Sequence, residues 1–81
     1  MPKVFEWRSY RFHFFSYEGS PREPVHIHVA KPGGDAKFWL LPQVRLVTSR
    51  NLKPLEIKRL EKVIEEHRSQ IIEAWNAHFA D

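Results

Sequence analysis

The 81 residues suffice for one domain with one modest core, and 42% hydrophobic with 28% charged residues is typical of a soluble globular protein. The absence of cysteine excludes disulfides and cysteine-based zinc sites. Since no apolar run approaches the ~20 residues of a membrane span and no apolar leader follows Met1, we expect a cytoplasmic protein with no membrane partner.

Charge is unevenly distributed along the chain. Residues 1–53 carry nine Lys and Arg against four Asp and Glu, a balance of +5. Residues 54–81 carry four against six, a balance of −2. The first part of the chain is therefore the one that would attract an anionic partner.

The chain opens with sequence typical of β-strands. Residues 4–17 are rich in aromatic side chains, and their alternation slips at Arg8 and Ser9, which predicts a bulge or tight turn between two strands. A loop containing Gly and Pro is predicted at residues 18–24. The next predicted strand, residues 25–30, contains two of the five histidines.

Two shorter strands are predicted after a turn at residues 31–35. This turn contains the Pro-Gly-Gly-Asp run typical of a hairpin connection. The strands cover residues 36–41 and 44–47, because Pro42 interrupts the pattern between them. Residues 48–51 are predicted to be a loop.

The hydrophobic period changes to 3.6 residues at Pro54, which predicts one helix from about Pro54 to about His78. The apolar stripe of this helix contains Leu60, Val63, Ile64, Ile71, Ala74 and Trp75. The chain is therefore predicted to be a single α+β domain over residues 1–81, with its strands within residues 4–47. A small antiparallel sheet of three to five short strands would pack on one long C-terminal helix.

Side-chain parity assigns one face of this sheet to the helix and leaves the other uncovered, because alternate residues of a strand point to opposite faces. The apolar side chains of each strand fall on the helix side. We call the opposite side the histidine face, and we expect Phe15 beside it. Its predicted residues are Arg11, His13, His26, His28, Lys37, Trp39 and Arg45.

Three kinds of partner fit such a face. Basic and aromatic side chains stack unpaired bases and neutralise phosphates, which favours nucleic acid. A small cognate protein is the second possibility. The third is a structural homodimer, in which the contact between two copies buries Trp39 and Phe15.

His26 and His28 also permit chemistry. Histidines at i and i+2 of a strand project side by side, and such a pair supplies two of the three protein ligands of a catalytic zinc site. His13 would be the third ligand, but this face is predicted to carry no carboxylate. Two histidines beside Lys37, or beside an arginine, would instead cleave RNA as base and acid. The alternative function is therefore a histidine-based or metal-assisted ribonuclease, while no cofactor is predicted.

The predicted helix carries two further histidines, His67 and His78, near the centre of its apolar stripe. A histidine there is usually a core residue with a satisfied hydrogen bond. We therefore expect His67, Trp75 and His78 to be structural anchors, with His67 bonded to the sheet. If the parity were inverted, His67 would instead form a three-histidine cluster with the strand pair.

Three segments carry a family resemblance: Glu-Pro-Val-His-Ile-His-Val at 23–29, Ala-Lys-Phe-Trp-Leu at 36–40, and Glu-His-Arg with Ala-Trp-Asn-Ala-His-Phe between 66 and 79. In this order they resemble DUF4160, a family of small prokaryotic domains of unknown function. The matching signature residues are Glu23, Pro24, His26, His28, Phe38, Trp39, His67, Trp75 and His78.

The resemblance implies a compact α+β domain, encoded beside another small gene in settings that look like toxin–antitoxin modules. It implies no established activity. Together with the basic first part of the chain, it favours a binding module in a toxin–antitoxin-like or regulatory pair, which would use the histidine face to bind nucleic acid or the cognate protein from the adjacent gene.

Overall fold

The structure is a computed structural model that describes residues 3–15 and 23–79. Within these ranges, five antiparallel strands form one sheet in chain order and two helices follow, which confirms the predicted α+β class. The elements are β1 (Lys3–Trp7), β2 (Tyr10–His13), β3 (His26–Lys31), β4 (Gly34–Trp39), β5 (Arg45–Arg50), α1 (Pro54–Glu66) and α2 (Arg68–His78). Most of the loop predicted at residues 18–24 lies outside the described residues.

The first hairpin has the tight turn that the slipped alternation predicts. Trp7 pairs with Tyr10, so only Arg8 and Ser9 form the connection. Arg8 adopts φ +57°, a left-handed conformation that is uncommon for a residue with a side chain. This turn sets the parity of β2 against β1.

The second hairpin is tighter than the predicted turn at residues 31–35. Lys31 pairs directly with Gly34, and Gly33 takes φ +79°, which glycine adopts without steric cost. As a result, Asp35 belongs to β4 rather than to the turn.

β5 extends to Arg50, so the loop predicted at residues 48–51 is wrong for its first three residues. The earlier start of β4 supplies the pairing, since Asp35 lies opposite Arg50 and the Arg50 guanidinium contacts the Asp35 carboxylate at 2.6 Å. The strand ends at Asn51, which has φ +58° and donates from its side chain to the Gly33 carbonyl at 2.9 Å.

The predicted single helix is divided at His67. The His67 N–H is shared between the carbonyls of Val63 and Ile64, each at 3.1 Å, an arrangement common at helix ends. Its ring Nδ1 donates to the same Val63 carbonyl at 2.8 Å, and the ring stacks on Phe5 with centroids 4.5 Å apart. The ring thus contacts the sheet by stacking, while the hydrogen bond expected to the sheet is made to its own helix.

The core lies between the sheet and the two helices. The core is formed by the helix-side residues of the β2, β3 and β4 segments and by the apolar residues on the sheet-facing side of the two helices. Its buried members are Phe12, Phe14, Ile27, Val29, Ala36, Phe38, Leu40, Leu60, Val63, Ile64, Ile71, Trp75 and Phe79. Full burial of a valine, leucine, isoleucine or phenylalanine side chain stabilises a fold by about 1.5–3 kcal/mol. Within the described ranges, neither helix has the length and apolar character of a membrane span.

Polar contacts hold each helix at one end. The Glu56 carboxylate in the first turn of α1 accepts from Lys31 and from the Tyr10 hydroxyl. The Arg68 guanidinium in the first turn of α2 donates to the carbonyls of Leu40 at 3.0 Å and Pro42 at 2.9 Å. These contacts fix how the helices lie on the sheet.

The Glu56 network predicts an acid-sensitive contribution to stability. Hydrogen bonds from Lys31, the Lys53 N–H and Tyr10 lower the pKa of Glu56 from 4.5 to about 2. Because the folded-state pKa is the lower one, the network stabilises the fold fully above pH 4.5 and is lost as the pH falls towards 2. We expect the thermal midpoint of Glu56→Gln to lie below that of the wild type at neutral pH and to converge with it in acid. Equal differences at every pH would contradict this, and Glu65→Gln, an exposed change on α1, is the control.

Candidate functional site

The strand register arranges the histidine face in three rows that cross the sheet. Rows lie two residues apart along each strand, roughly 6–7 Å. The first row contains Glu6, Arg11, Ala30, Asp35 and Arg50. The second row contains His13, His28, Lys37 and Thr48. The third row contains His26, Trp39 and Arg45.

The second row surrounds a cavity of about 400 Å³. The rings of His13 and His28 stack with centroids 5.7 Å apart and planes 18° apart. Phe15 closes one side, with its ring 4.3 Å from His28 and 5.1 Å from His13. Lys37 and Thr48 line the same cavity. Three aromatic rings and a lysine therefore line one cavity on the sheet.

Lys37 is positioned by two neighbours. Its Nζ donates to the Glu23 carboxylate at 3.2 Å and lies 4.9 Å from the centroid of the Trp39 ring. The latter distance is within the range of a cation–π contact. The lysine is thus held at the cavity between an acidic and an aromatic side chain.

Carboxylates are present on this face, so the prediction that it carries none is wrong. Asp35 lines the cavity because the tight second hairpin places it in β4. Glu23 contacts Lys37 and lies 4.0 Å from Nδ1 of His26. Asp35 pairs with Arg50, so acidic groups offset part of the positive charge of the face.

His26 does not lie on an open surface as predicted. Its side chain is fully buried, and its Nδ1 donates to the Pro24 carbonyl at 2.8 Å. Its ring packs 4.9 Å from Trp75 and 5.7 Å from Trp39. The reason is that Trp75 of α2 packs on both the core and the end of β3, which encloses the first histidine of the strand pair.

The other predicted face residues differ in accessibility. His13 is 5% exposed and His28 is half-buried, with ring centroids of His26 and His28 5.1 Å apart. Arg11 and Arg45 are exposed, but they lie in the first and third rows on either side of the cavity. The predicted face therefore has exposed arginines in its first and third rows and a cavity with less accessible histidines at its second row.

The three helix residues predicted as structural anchors do not line the cavity. Trp75 is buried against Phe14 at 5.2 Å, and His67 stacks on Phe5 rather than joining the histidines of β3. His78 is exposed rather than buried in the core as predicted, but its ring still packs on Phe14 at 6.1 Å and on Phe79 at 4.5 Å between ring centroids. Across residues 3–15 and 23–79, no group of three or more His, Asp or Glu side chains is placed to hold a metal ion.

Sequence reasoning missed three residues of the site, which are Thr48, Asp35 and Glu23. The pairing of β4 with β5 shifts by one residue at Lys37 and Phe38, and this places Thr48 beside Lys37. Strand parity finds Asp35 only once the true start of β4 is known, and it does not find Thr48, because the shift changes the parity of β5. Glu23 stood in the quoted family segment, and its contact with Lys37 explains an acidic residue at that position.

Comparisons with known proteins address the family of the chain. Searches of curated proteins and of solved structures found no match. The family model described as "Domain of unknown function (DUF4160)" matches residues 9–76. This range includes the second and third rows and most of the first, and it confirms the resemblance seen in the sequence. The chain therefore belongs to the DUF4160 family.

Proposed function

We propose that this chain is a cytoplasmic binding module that holds single-stranded nucleic acid on its histidine face. The observation that carries the proposal is the cavity of the second row, which is lined by Lys37 and by the packed rings of His13, Phe15 and His28. Its volume of about 400 Å³ falls within the ~300–1,000 Å³ typical of small-ligand sites. An unpaired base with its phosphate matches this combination of flat apolar walls and one cation.

Stacking would supply much of the affinity. Phe15 and His28 are both half-buried and line the cavity, so a base bound there would lie against them. Trp39 is also half-buried and lies one row away, where it offers a second aromatic surface to the neighbouring base. Base–aromatic stacking contributes about 1–3 kcal/mol per base and tolerates any sequence.

The charges of the face favour a single strand held at a few phosphates. Arg11 and Arg45 are exposed on either side of the cavity, and Lys37 lies at its wall. Because Glu23 and Asp35 reduce the net positive charge, we expect weak binding away from the cavity and a modest salt dependence.

Charge reversal of Arg11, Lys37 and Arg45 to glutamate should weaken binding more than tenfold. Fluorescence anisotropy of a labelled RNA of about 12 nucleotides, within the ~4–16 nucleotides that an OB fold covers on a single strand, measures this at low salt. Three lost phosphate contacts should also reduce the slope of log K against log salt by about 2. The matched control reverses three exposed cations of α1, namely Lys58, Arg59 and Lys62.

Equal losses in the two triple variants would contradict the proposal, because binding would then follow net charge alone. Failure of the parent protein to bind any single strand at low salt would also contradict it. Light scattering that shows a dimer would then assign the face to a contact between two copies. Capture of the adjacent gene's product, lost on charge reversal, would assign it to a cognate partner in a toxin–antitoxin-like pair.

A further inference from the structure

We infer that the second row is also a catalytic site, at which His13, His28 and Lys37 cleave RNA by attack of the ribose 2′-hydroxyl on the adjacent phosphate. This inference rests on the proposed function, since the RNA must first lie on the histidine face. It assigns the substrate class, which is RNA rather than DNA, and a reaction, which is transesterification.

The geometry places the three groups in direct succession across the sheet. His13 pairs with His28, and His28 pairs with Lys37, so the residues lie opposite one another on β2, β3 and β4. Residues directly opposite in antiparallel strands have Cα atoms about 4.5–5.5 Å apart. All three residues line the same cavity. Rigid strands hold them there, as a catalytic arrangement requires.

These side chains suffice for a complete step. One imidazole accepts the proton of the 2′-hydroxyl while that oxygen forms a bond to phosphorus. The other, as imidazolium, donates a proton to the 5′ oxygen while the P–O5′ bond breaks. The Lys37 ammonium stabilises the negative charge that develops on the phosphoryl oxygens. The products are a 2′,3′-cyclic phosphate and a 5′-hydroxyl, and proton exchange with water restores both imidazoles.

The Glu-Pro-Val-His-Ile-His segment then divides into supporting and reacting residues. His26 is fully buried and bonded to Pro24, so it supports the site without contacting the substrate. Glu23 holds Lys37 and is a positioning residue. His28 is the half-buried member of the pair that lines the cavity, and it contacts the substrate.

A DNA oligonucleotide that contains one ribonucleotide tests the reaction. Mass spectrometry should show cleavage only at the ribonucleotide, with a 2′,3′-cyclic phosphate end, and none in the all-DNA strand. We expect His28→Gln to lower the rate at saturating RNA at least 100-fold, the lower limit of general acid–base catalysis, while anisotropy shows binding that is weaker but still saturable. His13→Gln should act alike, and Lys37→Gln should lower the rate more than tenfold. His78→Gln removes an exposed histidine of α2 and should leave the rate unchanged.

The pH profile of the wild-type rate should be bell-shaped, because one imidazole must be neutral and the other protonated. Circular dichroism checks the fold of each variant, and His28→Gln alone decides the matter if His13→Gln fails to fold. Binding without cleavage overturns this inference and leaves the proposed function standing. Cleavage that persists in His28→Gln also overturns it, while a wild-type protein that neither binds nor cleaves RNA overturns both.

Discussion

Replacing Trp75 with alanine should lower the free energy of unfolding by about 3–5 kcal/mol, the usual cost of truncating a buried tryptophan. The side chain is 2% exposed. Its ring packs on those of Phe14, His26 and Phe79, with centroids 5.2, 4.9 and 4.3 Å apart. The total free energy of unfolding of a native protein is only about 5–15 kcal/mol. We therefore expect Trp75→Ala to be largely unfolded at physiological temperature.

Urea denaturation followed by circular dichroism measures the loss, because fluorescence would be altered by the missing indole itself. Asn76→Ala, an exposed change one residue along α2, is the matched control and should stay within about 0.5 kcal/mol of the wild type. A loss below about 1 kcal/mol for Trp75→Ala would show that α2 does not pack on the sheet as described.

Alanine replacements of His26 and His28 should have opposite consequences. His26→Ala should cost about 2–4 kcal/mol of stability, because it leaves a cavity against Trp75 and removes the donor to the Pro24 carbonyl. His28 is half-buried and lines the ligand cavity, so His28→Ala should cost less than about 1.5 kcal/mol while it weakens nucleic-acid binding.

Urea denaturation and anisotropy on the same two preparations give this comparison. The two histidines lie in the same strand and on the same face, so each is the natural control for the other. Similar stability losses in both variants would contradict the assignment of a supporting role to one and a ligand contact to the other.

Much of the fold could be predicted from side-chain alternation and helical periodicity. Alternation placed Phe12, Ile27 and Phe38 on the helix side, and all three are fully buried. The period of 3.6 residues identified the helical segment from Pro54 to His78. Both signals depend on contiguous residues and on the side of a sheet that faces the core, where exclusion of water acts most strongly.

The division of the helix and the burial of His26 depend on contacts distant in sequence. His67 interrupts the helix by bonding to Val63 and stacking on Phe5, which lies more than sixty residues earlier. His26 is buried because Trp75 reaches it from the other end of the chain. Neither contact leaves a local pattern, because histidine is common both in helices and on sheet surfaces.

The candidate site was predicted in its residue types but not in its arrangement. Parity collected His13, His28 and Lys37 on one face, yet their alignment in a single row follows from the register of β3 on its two neighbours, β2 and β4. The sequence fits several turn lengths, and a change of one residue in register would separate the three side chains. Asp35 was missed for the same reason, since the turn was predicted to be longer than it is.

Nuclear magnetic resonance titration with a short single-stranded RNA tests the central claim most directly, because it shows where the ligand lies. The account predicts that the largest shifts fall on the second row, at the backbone amides of His13, His28, Lys37 and Thr48 and at the two imidazole rings. The outer face of α1, with Lys58 and Lys62, should remain unchanged. Shifts centred on that helix, or no saturable shift on the histidine face, would contradict the account.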